Sequence, residues 1–565
     1  MEIVIRNGFV YDPLNGIEGE VLDIGVKDGK IVDVSQIDMS KAKVIDARGK
    51  VVMPGGVDLH SHIAGPKVNA GRVMMPSDHY NSFLRMKRGI HRSGTGKRTP
   101  STFLVGYRYA RMGWTTVAEP ASPPLETRHT HEELDDIPMI DKLCFLLLDS
   151  NRILLDYISQ DDFYSFKNAL KWLLESTKCY AVKLVDPGVA IPWVWGKGYN
   201  MDVHDTIEPY GITPEEIVRN FAKANEELGL PHTIHVHCNR LGIPGNYETT
   251  LATMDAVSGV PSDGLNMHVT HVQFNSYAGG SWFDIRSGVE KIAKYVNTHP
   301  HISLDVGQID FGTAITMTAD APFEFALFHL ARWKWAGSEV ENEAAAGIVP
   351  FKYKKRNMVN TVQWCIGLEA MLLVEDPWRV ILSTDHPNGA PFTRYPKFMA
   401  LLMSKKYREE YFEKLSRAGL KRCVLPSIDR EYTLYEIVIT TRAAPAKLLG
   451  IHGFKGHLGV GADADIAIYD INPEEIDFSR DYNVVKEKLR RTVYTIKGGE
   501  IVVKDGEMVK EVFGDTIAVR FKVRPDKDVI RDAREKFNQY YTVKCNNFEM
   551  SDRELRSLRF MEVGG

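Results

Sequence analysis

Met53-Pro54-Gly55-Gly56-Val57-Asp58-Leu59-His60-Ser61-His62 is the stretch on which the reading of the fold turns. It follows an apolar run and ends in two histidines one residue apart. In a β-strand, residues i and i+2 point to the same face, so both imidazoles project together from the strand end. Such a strand end offers a metal ion two nitrogen ligands at once. The remaining ligands must then come from other strand ends.

Downstream, from about residue 51 to 450, short apolar segments alternate with helical stretches. Eight segments read as strands: Lys50–Met53, Thr115–Glu119, Leu143–Leu148, Ala181–Val185, Thr233–His237, Met267–His271, Ile302–Val306 and Val380–Thr384. Helices fall between many of them, as at Thr213, where Thr213 caps, Pro214 suits the first turn and Glu216 completes a capping box. Eight β/α units predict an α/β chain built on a TIM-like (β/α)8 barrel, whose chemistry gathers at the C-terminal ends of the strands. Residues 1–50 read as short strands with hairpin signals at Asn7-Gly8 and Asp28-Gly29. A similar grammar returns at residues 465–470 and 499–506. The two chain ends therefore predict one small β-sandwich, from residues 1–50 and 451–512, flanking a barrel of residues 51–450. An extension, residues 513–565, carries a helix around Asp526–Tyr540 and no legible chemistry.

Composition narrows the function classes. The chain has 565 residues, 44% hydrophobic and 25% charged, with a net charge of −4. That near-balance argues against a general nucleic-acid or membrane-surface role. Acidic Glu2 and the lack of a long apolar core at the start speak against a signal peptide, and no apolar run is long enough to cross a bilayer. A cytoplasmic protein is the expectation. The six cysteines are scattered without a C-x-x-C pair, so neither an iron–sulfur cluster nor disulfides are expected in this chain.

At the strand ends the polar residues converge. The first strand leads into His60 and His62, and the fourth holds Lys183 inside an apolar run. The fifth offers His232, His235 and His237, the sixth His268 and His271, and the eighth Asp385 followed by His386. Two histidines, a lysine, two more histidines and an aspartate, on strands one, four, five, six and eight, form a binuclear metal pattern. Lys178 is a rival to Lys183, although Ser176-Thr177-Lys178-Cys179 looks like a turn. His129-Thr130-His131 repeats the H-x-H spacing, but Thr130 reads as a helix cap. His299 and His301 flank Pro300 in a turn and read as surface residues.

This order of ligands resembles the dihydroorotase and hydantoinase branch of the metal-dependent amidohydrolases. The resemblance implies that Lys183 is an N6-carboxylysine whose carbamate bridges two divalent metals, with zinc expected. It implies metal ligation by His60, His62, Lys183, His237, His271 and Asp385, and a proton shuttle at Asp385. His237 is preferred over His235, and His271 over His268, because His237-Cys238-Asn239 and Thr270-His271-Val272-Gln273 match the family's strand ends. His235 and His386 then stand behind the ligands. Two ions about 3.5–4 Å apart make water nucleophilic at neutral pH. His457–Ile466 and Thr441–Gly450 resemble the segments by which such chains return to their sandwich.

A narrower set of motifs is similar to the amidohydrolase-type subunit of formylmethanofuran dehydrogenase: Ile63-Ala64-Gly65, Thr127–Glu133, Pro244–Thr250, Asp305-Val306-Gly307-Gln308 and Pro391–Pro396. The corresponding subunit of the bacterial formyltransferase/hydrolase complex is a near relative. That family implies condensation of formate with the amine of methanofuran, reversible by hydrolysis. It also implies partners: a tungsten- or molybdenum-dependent formate dehydrogenase-like subunit that reduces CO2, and iron–sulfur subunits. The stretch from Gly65 to Thr102 sets Lys67, Arg72, Arg85, Lys87, Arg88, Arg92, Lys97 and Arg98 against a single acid, Asp78. It is expected to cradle the acidic tail of methanofuran, with Asn239, Asn246 and Arg394 as further substrate-binding residues; a solvated loop or a contact between subunits is the blander reading. A stand-alone cyclic-amide hydrolase shares the metal ligands but acts without partners.

Overall fold

A computed structural model describes residues 2–80, 92, 94–194, 201–262, 264–337 and 346–564. Its centre is a curled parallel sheet of eight strands: β1 Gly56–Asp58, β2 Trp114–Ser122, β3 Asp141–Leu147, β4 Ala181–Val185, β5 Ile234–His237, β6 Met267–Val269, β7 Ile302–Asp305 and β8 Val380–Ile381. Neighbours in sequence are neighbours in the sheet from β1 to β8. At the C-terminal mouth a bridge between Ser61 and His386, with the His62 N–H donating to the His386 carbonyl at 2.7 Å, joins the ends of β1 and β8. Every residue of these eight strands is buried, as expected where helices cover a parallel sheet. The helix Pro214–Leu228 has the capping box read from Thr213 and Glu216.

Three details differ from the sequence reading. The apolar segment before the histidines is not a barrel strand. Val51–Pro54 pairs with Ile3–Asp12 and with Ile466–Tyr469 in a second sheet, and the barrel begins at Gly56. The crossing between sheets is tight. A Cβ on Gly55 would lie 2.1 Å from Thr115 Oγ1, and one on Gly56 would lie 2.4 Å from the Trp114 ring, so glycine is required at both positions. Asn7-Gly8 is not a hairpin. It lies inside the strand Ile3–Asp12, where the register with Ile17–Lys27 shifts between Ile5 and Gly8, as in a bulge.

The second sheet unites both chain ends through nine continuously bonded strands, with a core of residues such as Ile5, Val26, Val52, Ile466 and Ile496. The extension is the third difference, because it joins the barrel sheet. Its strands Thr516–Phe521 and Leu558–Val563 run parallel, and the first pairs with β3 at Lys142 and Leu143. Its helix, Lys527–Tyr540, is capped by the Asp526 side chain, which accepts from the Asp528 and Val529 N–H groups. Among the described residues no helix is long and apolar enough to cross a membrane.

Buried charges weld the two sheets. Lys497 Nζ lies 2.6 Å from Asp141 at the start of β3 and 2.9 Å from Asp465, while Lys455 Nζ is 2.7 Å from Asp465 and also pairs with Asp141. Removing one partner of such a network leaves an uncompensated buried charge. Lys497→Met is therefore expected to lower the unfolding free energy by about 3–5 kcal/mol in denaturant titration; a loss below about 1 kcal/mol would show the network to be incidental.

Candidate metal centre

The C-terminal ends of the strands converge on one pocket. His60, His62, Lys183, His237, His271 and Asp385 all line it, together with Lys67, Thr316, Glu324 and Asn388. Each of the six is at least 95% buried. His60 Nε2 is 3.1 Å and His62 Nε2 3.5 Å from the same oxygen, Asp385 Oδ1. His60, His271 and Asp385 each present one ligand atom within 4.8 Å of the others. His271 Nδ1 is buried and has no hydrogen-bond partner among the described residues. Convergent nitrogens and a carboxylate in a buried pocket, with one ring nitrogen unpartnered among the described residues, are a donor set that fits a divalent metal.

The backbone aims these groups. His271 and Asp385 have φ values of 33° and 43°, a left-handed conformation unusual for side-chain-bearing residues and typical of sites that hold strain for a purpose. Behind β1, Asp58 accepts from the hydroxyls of Tyr109 at 2.8 Å and Tyr395 at 2.7 Å, and from the His60 N–H at 3.2 Å. The conformation of the H-x-H segment is thus locked from below.

Two carboxylates that the sequence reading did not assign orient the histidines. Glu119, on β2, lies 2.9 Å from His62 Nδ1, and its other oxygen accepts the N–H groups of Ile63 and Ala64. Burial pushes the Glu119 carboxyl up to about 7. Asp305 ends β7 and binds four neighbours. One oxygen is 3.2 Å from both His60 Nδ1 and His268 Nε2; the other accepts the His271 N–H and the Ser383 hydroxyl. Burial opposes its charge, yet His60 and His268 hold the carboxyl well below the usual range. Carboxylates that grip the far nitrogen of a ligating histidine fix its tautomer and raise its basicity. Both are strand-end acids on strands two and seven, which is the signal that could have found them.

The rival residues are placed clearly. Lys178 caps a helix and pairs with Asp552 at 2.9 Å, whereas Lys183 Nζ faces the pocket, 3.3 Å from Thr270 Oγ1. Burial brings the Lys183 amine down to about 7. His235 sits behind the pocket, with Nε2 3.0 Å from His60 Nδ1, and His232 lies behind His235 at 3.1 Å. His268 faces Ser303 and Asp305 rather than the pocket. His386 is buried against Phe392. His131 falls inside a helix that begins at Thr127, so Thr130 is not its cap.

The predicted substrate-binding residues do not line this pocket. Asn246 is consumed by the backbone, donating to the Arg240 and Phe274 carbonyls and accepting the Tyr277 N–H. Asn239 donates to Asp186 and Pro187, and Arg394 pairs with Asp310 at 2.9 Å. The basic stretch is also not a uniform cradle. Arg72 pairs with Glu133, Asp78 gathers the N–H groups of Lys97, Arg98 and Thr99, and Lys67 points into the pocket. Arg85, Lys87 and Arg88 lie outside the described residues.

A barrel whose strand ends gather histidines, a lysine and an aspartate defines a class: the chain belongs to the amidohydrolase family, whose pattern matches residues 43–503. Along its whole length it is 49% identical to Protein FwdA of Methanocaldococcus jannaschii, covering 99% of that protein. It is 35% identical to one subunit of the formyltransferase/hydrolase complex Fhc of Methylorubrum extorquens, over 97% of this chain and 96% of that one. A crystal structure of the Methylorubrum extorquens formyltransferase/hydrolase complex with methylofuran contains a chain that matches with a TM-score of 0.91 and 33% identity over 100% of both chains.

Glutamine in place of Glu119 presents an N–H to His62 Nδ1 and forces the ring proton onto Nε2, the nitrogen that faces Asp385. Glu119→Gln is expected to weaken metal retention about 10–100-fold while leaving the melting temperature of the metal-free chain nearly unchanged. Metal analysis after dialysis against graded chelator checks this, and unchanged retention would contradict the orienting role.

Proposed function

We propose that this chain is the formyl-transferring subunit of a cytoplasmic formylmethanofuran dehydrogenase-type complex. It joins formate to the primary amine of methanofuran, and in reverse hydrolyses formylmethanofuran. The observation that carries the reading is the convergence of His60, His62, Lys183, His237, His271 and Asp385 on one pocket, in a chain matched end to end by the Fhc subunit and by FwdA. In the proposed complex a tungsten- or molybdenum-dependent partner reduces CO2 to formate, and iron–sulfur subunits carry its electrons. The six cysteines of this chain are scattered in sequence without a C-x-x-C pair, so the redox chemistry is assigned to those partners.

The six residues would hold two divalent ions, expected to be zinc, with Lys183 contributing as its carbamate. When bound, such a pair supplies Lewis-acid polarisation of the formyl oxygen and stabilises negative charge on it. The chain's own groups do the rest. A Lys183 amine brought down to about 7 is substantially neutral near pH 7, and only the neutral amine attacks CO2. The amine nitrogen bonds to the CO2 carbon as one C=O π bond opens, and the neutral amine loses one proton; counted from the ammonium, two protons leave and a cation becomes an anionic bidentate group. Glu119 and Asp305 hold His62 and His60 in fixed tautomers. Asp385, held by the Asn388 amide at 2.8 Å, carries a proton between water and the amine nitrogen. Condensation consumes formate, a proton and the neutral amine and releases water; hydrolysis runs the same ledger backwards.

The test is formate release from formylmethanofuran by the metal-loaded chain, purified with whatever subunits accompany it. Asp385→Asn is expected to lower kcat/KM at least 100-fold with the fold intact. No formate from the folded, metal-loaded wild type would contradict the assignment. Carbamylation adds a pH signature. Metal reconstitution of the stripped chain at a fixed concentration of dissolved CO2 should proceed roughly tenfold faster at pH 8 than at pH 6, because protonation of Lys183 below about 7 removes the nucleophile; a pH-independent rate would count against the carbamate.

A further inference from the structure

Lys67 is the one basic side chain lining the pocket that the metal-binding pattern leaves without a task. It sits in helix α1, Pro66–Met74, and is 7% exposed. Its Nζ is buried with no hydrogen-bond partner among the described residues, although it lines the same pocket as the six convergent residues. The other pocket lysine, Lys183, has Thr270. A buried amine with no hydrogen-bond partner among the described residues is costly, so its presence points to a ligand that supplies the missing acceptor.

The position of Lys67 is enforced. Glu133, in helix α2 (Thr127–Asp136), accepts the Gly65 N–H at 2.8 Å and the Asn69 amide at 3.1 Å, and pairs with Arg72, so one carboxylate pins both ends of α1. Gly65, at φ 96°, could not carry a Cβ, which would lie 2.6 Å from Thr130 Oγ1. Val68 packs with Ile315, Met317 and Ile348 on the far side. The nearby acids are engaged elsewhere: Glu119 binds His62, Ile63 and Ala64, and Asp385 faces His60 and Asn388. Glu324 accepts from Thr316 through one oxygen, its other oxygen has no hydrogen-bond partner among the described residues, and burial pushes its carboxyl up, toward the neutral form.

We propose that Lys67 Nζ forms an anion subsite that holds the one-carbon carboxylate of the reaction beside the candidate metal centre. This rests on the function proposed above and identifies which residue receives formate. A formyl amide is neutral, whereas formate and the oxyanion that precedes it are negative. A fixed ammonium in a dry pocket therefore favours the charged species over the neutral one. Lys67 thus leaves the cradle expected for the coenzyme tail and becomes a binding residue for the small substrate.

The experiment titrates 13C-formate into the complete chain, with its co-purifying subunits, and follows the formate resonance, with metal content measured on the same samples. Wild type is expected to bind formate saturably. Lys67→Met is expected to weaken binding at least tenfold with metal content unchanged, and Lys67→Arg to recover most of it. In the condensation assay Lys67→Met should raise the KM for formate far more than the KM for the amine. Unchanged formate binding in Lys67→Met would overturn the proposal. So would loss of metal in that variant, because it would assign the ammonium to the Lys183 carbamate instead. Lys67-dependent formate binding in a wild type that cleaves no formyl amide would support the subsite and strike the functional reading alone.

Discussion

One buried carboxylate holds the pocket together. Asp305, at the end of β7, binds the His60 ring from β1, the His268 ring and His271 N–H from β6, and the Ser383 hydroxyl beside β8. Strands one, six, seven and eight are distant in sequence, and Asp305 makes their ends share a single charge. An ionised carboxylate can only accept, so each partner must donate to it. That requirement sets the His60 proton on Nδ1 and turns Nε2 toward Asp385. Glu119 imposes the same condition on His62. The geometry of the candidate metal centre is in this sense an electrostatic consequence of two acids that take no direct part in it.

The same logic explains why the barrel mouth tolerates so many buried ionisable groups. Positive and negative groups gather at the pocket: Lys183, Lys67 and Asp385 line it together with four histidines, and Glu119 and Asp305 stand behind them. Burial drives lysine toward its neutral form and carboxylates toward theirs. Where donors are fixed against the group, as for Asp305, the charge survives; where burial outweighs the attraction of nearby acids, as for Lys183, the amine comes within reach of neutrality. The proposed modification of that amine to a carbamate would reverse its sign and suit it to cations. The structural ion network at Asp141, Asp465, Lys455 and Lys497 uses similar residues for a different end, joining the barrel to the sheet built from both chain ends.

Much of this was legible in the sequence because strand ends and histidine spacing obey local rules. The barrel, the sheet shared by the termini, the Thr213 capping box and the convergence of six residues on one pocket all follow from periodicity read together with family resemblance. What escaped is tertiary in origin. The segment at Val51–Pro54 has the apolar character of a barrel strand, and only the close approach of Trp114 and Thr115 shows that the chain changes sheets at Gly55-Gly56. Asn246 and Arg394 looked like pocket residues because they sit in distinctive motifs, yet their side chains are spent on carbonyls and on Asp310. Lys67 was submerged in a run of basic residues. Its separation from them depends on Glu133 and α1, which no local pattern announces.

The central claim is that Lys183 and its five neighbours form one carbamate-bridged, two-metal centre. Counting both components in the same sample tests it most directly: divalent ions per chain by elemental analysis, and 13C carbamate per chain by NMR after reconstitution in 13C-bicarbonate. The account predicts two metal ions and one carbamate, with both lost together in Lys183→Ala. Two metal ions without a carbamate, or a Lys183→Ala chain that keeps both ions, would contradict it.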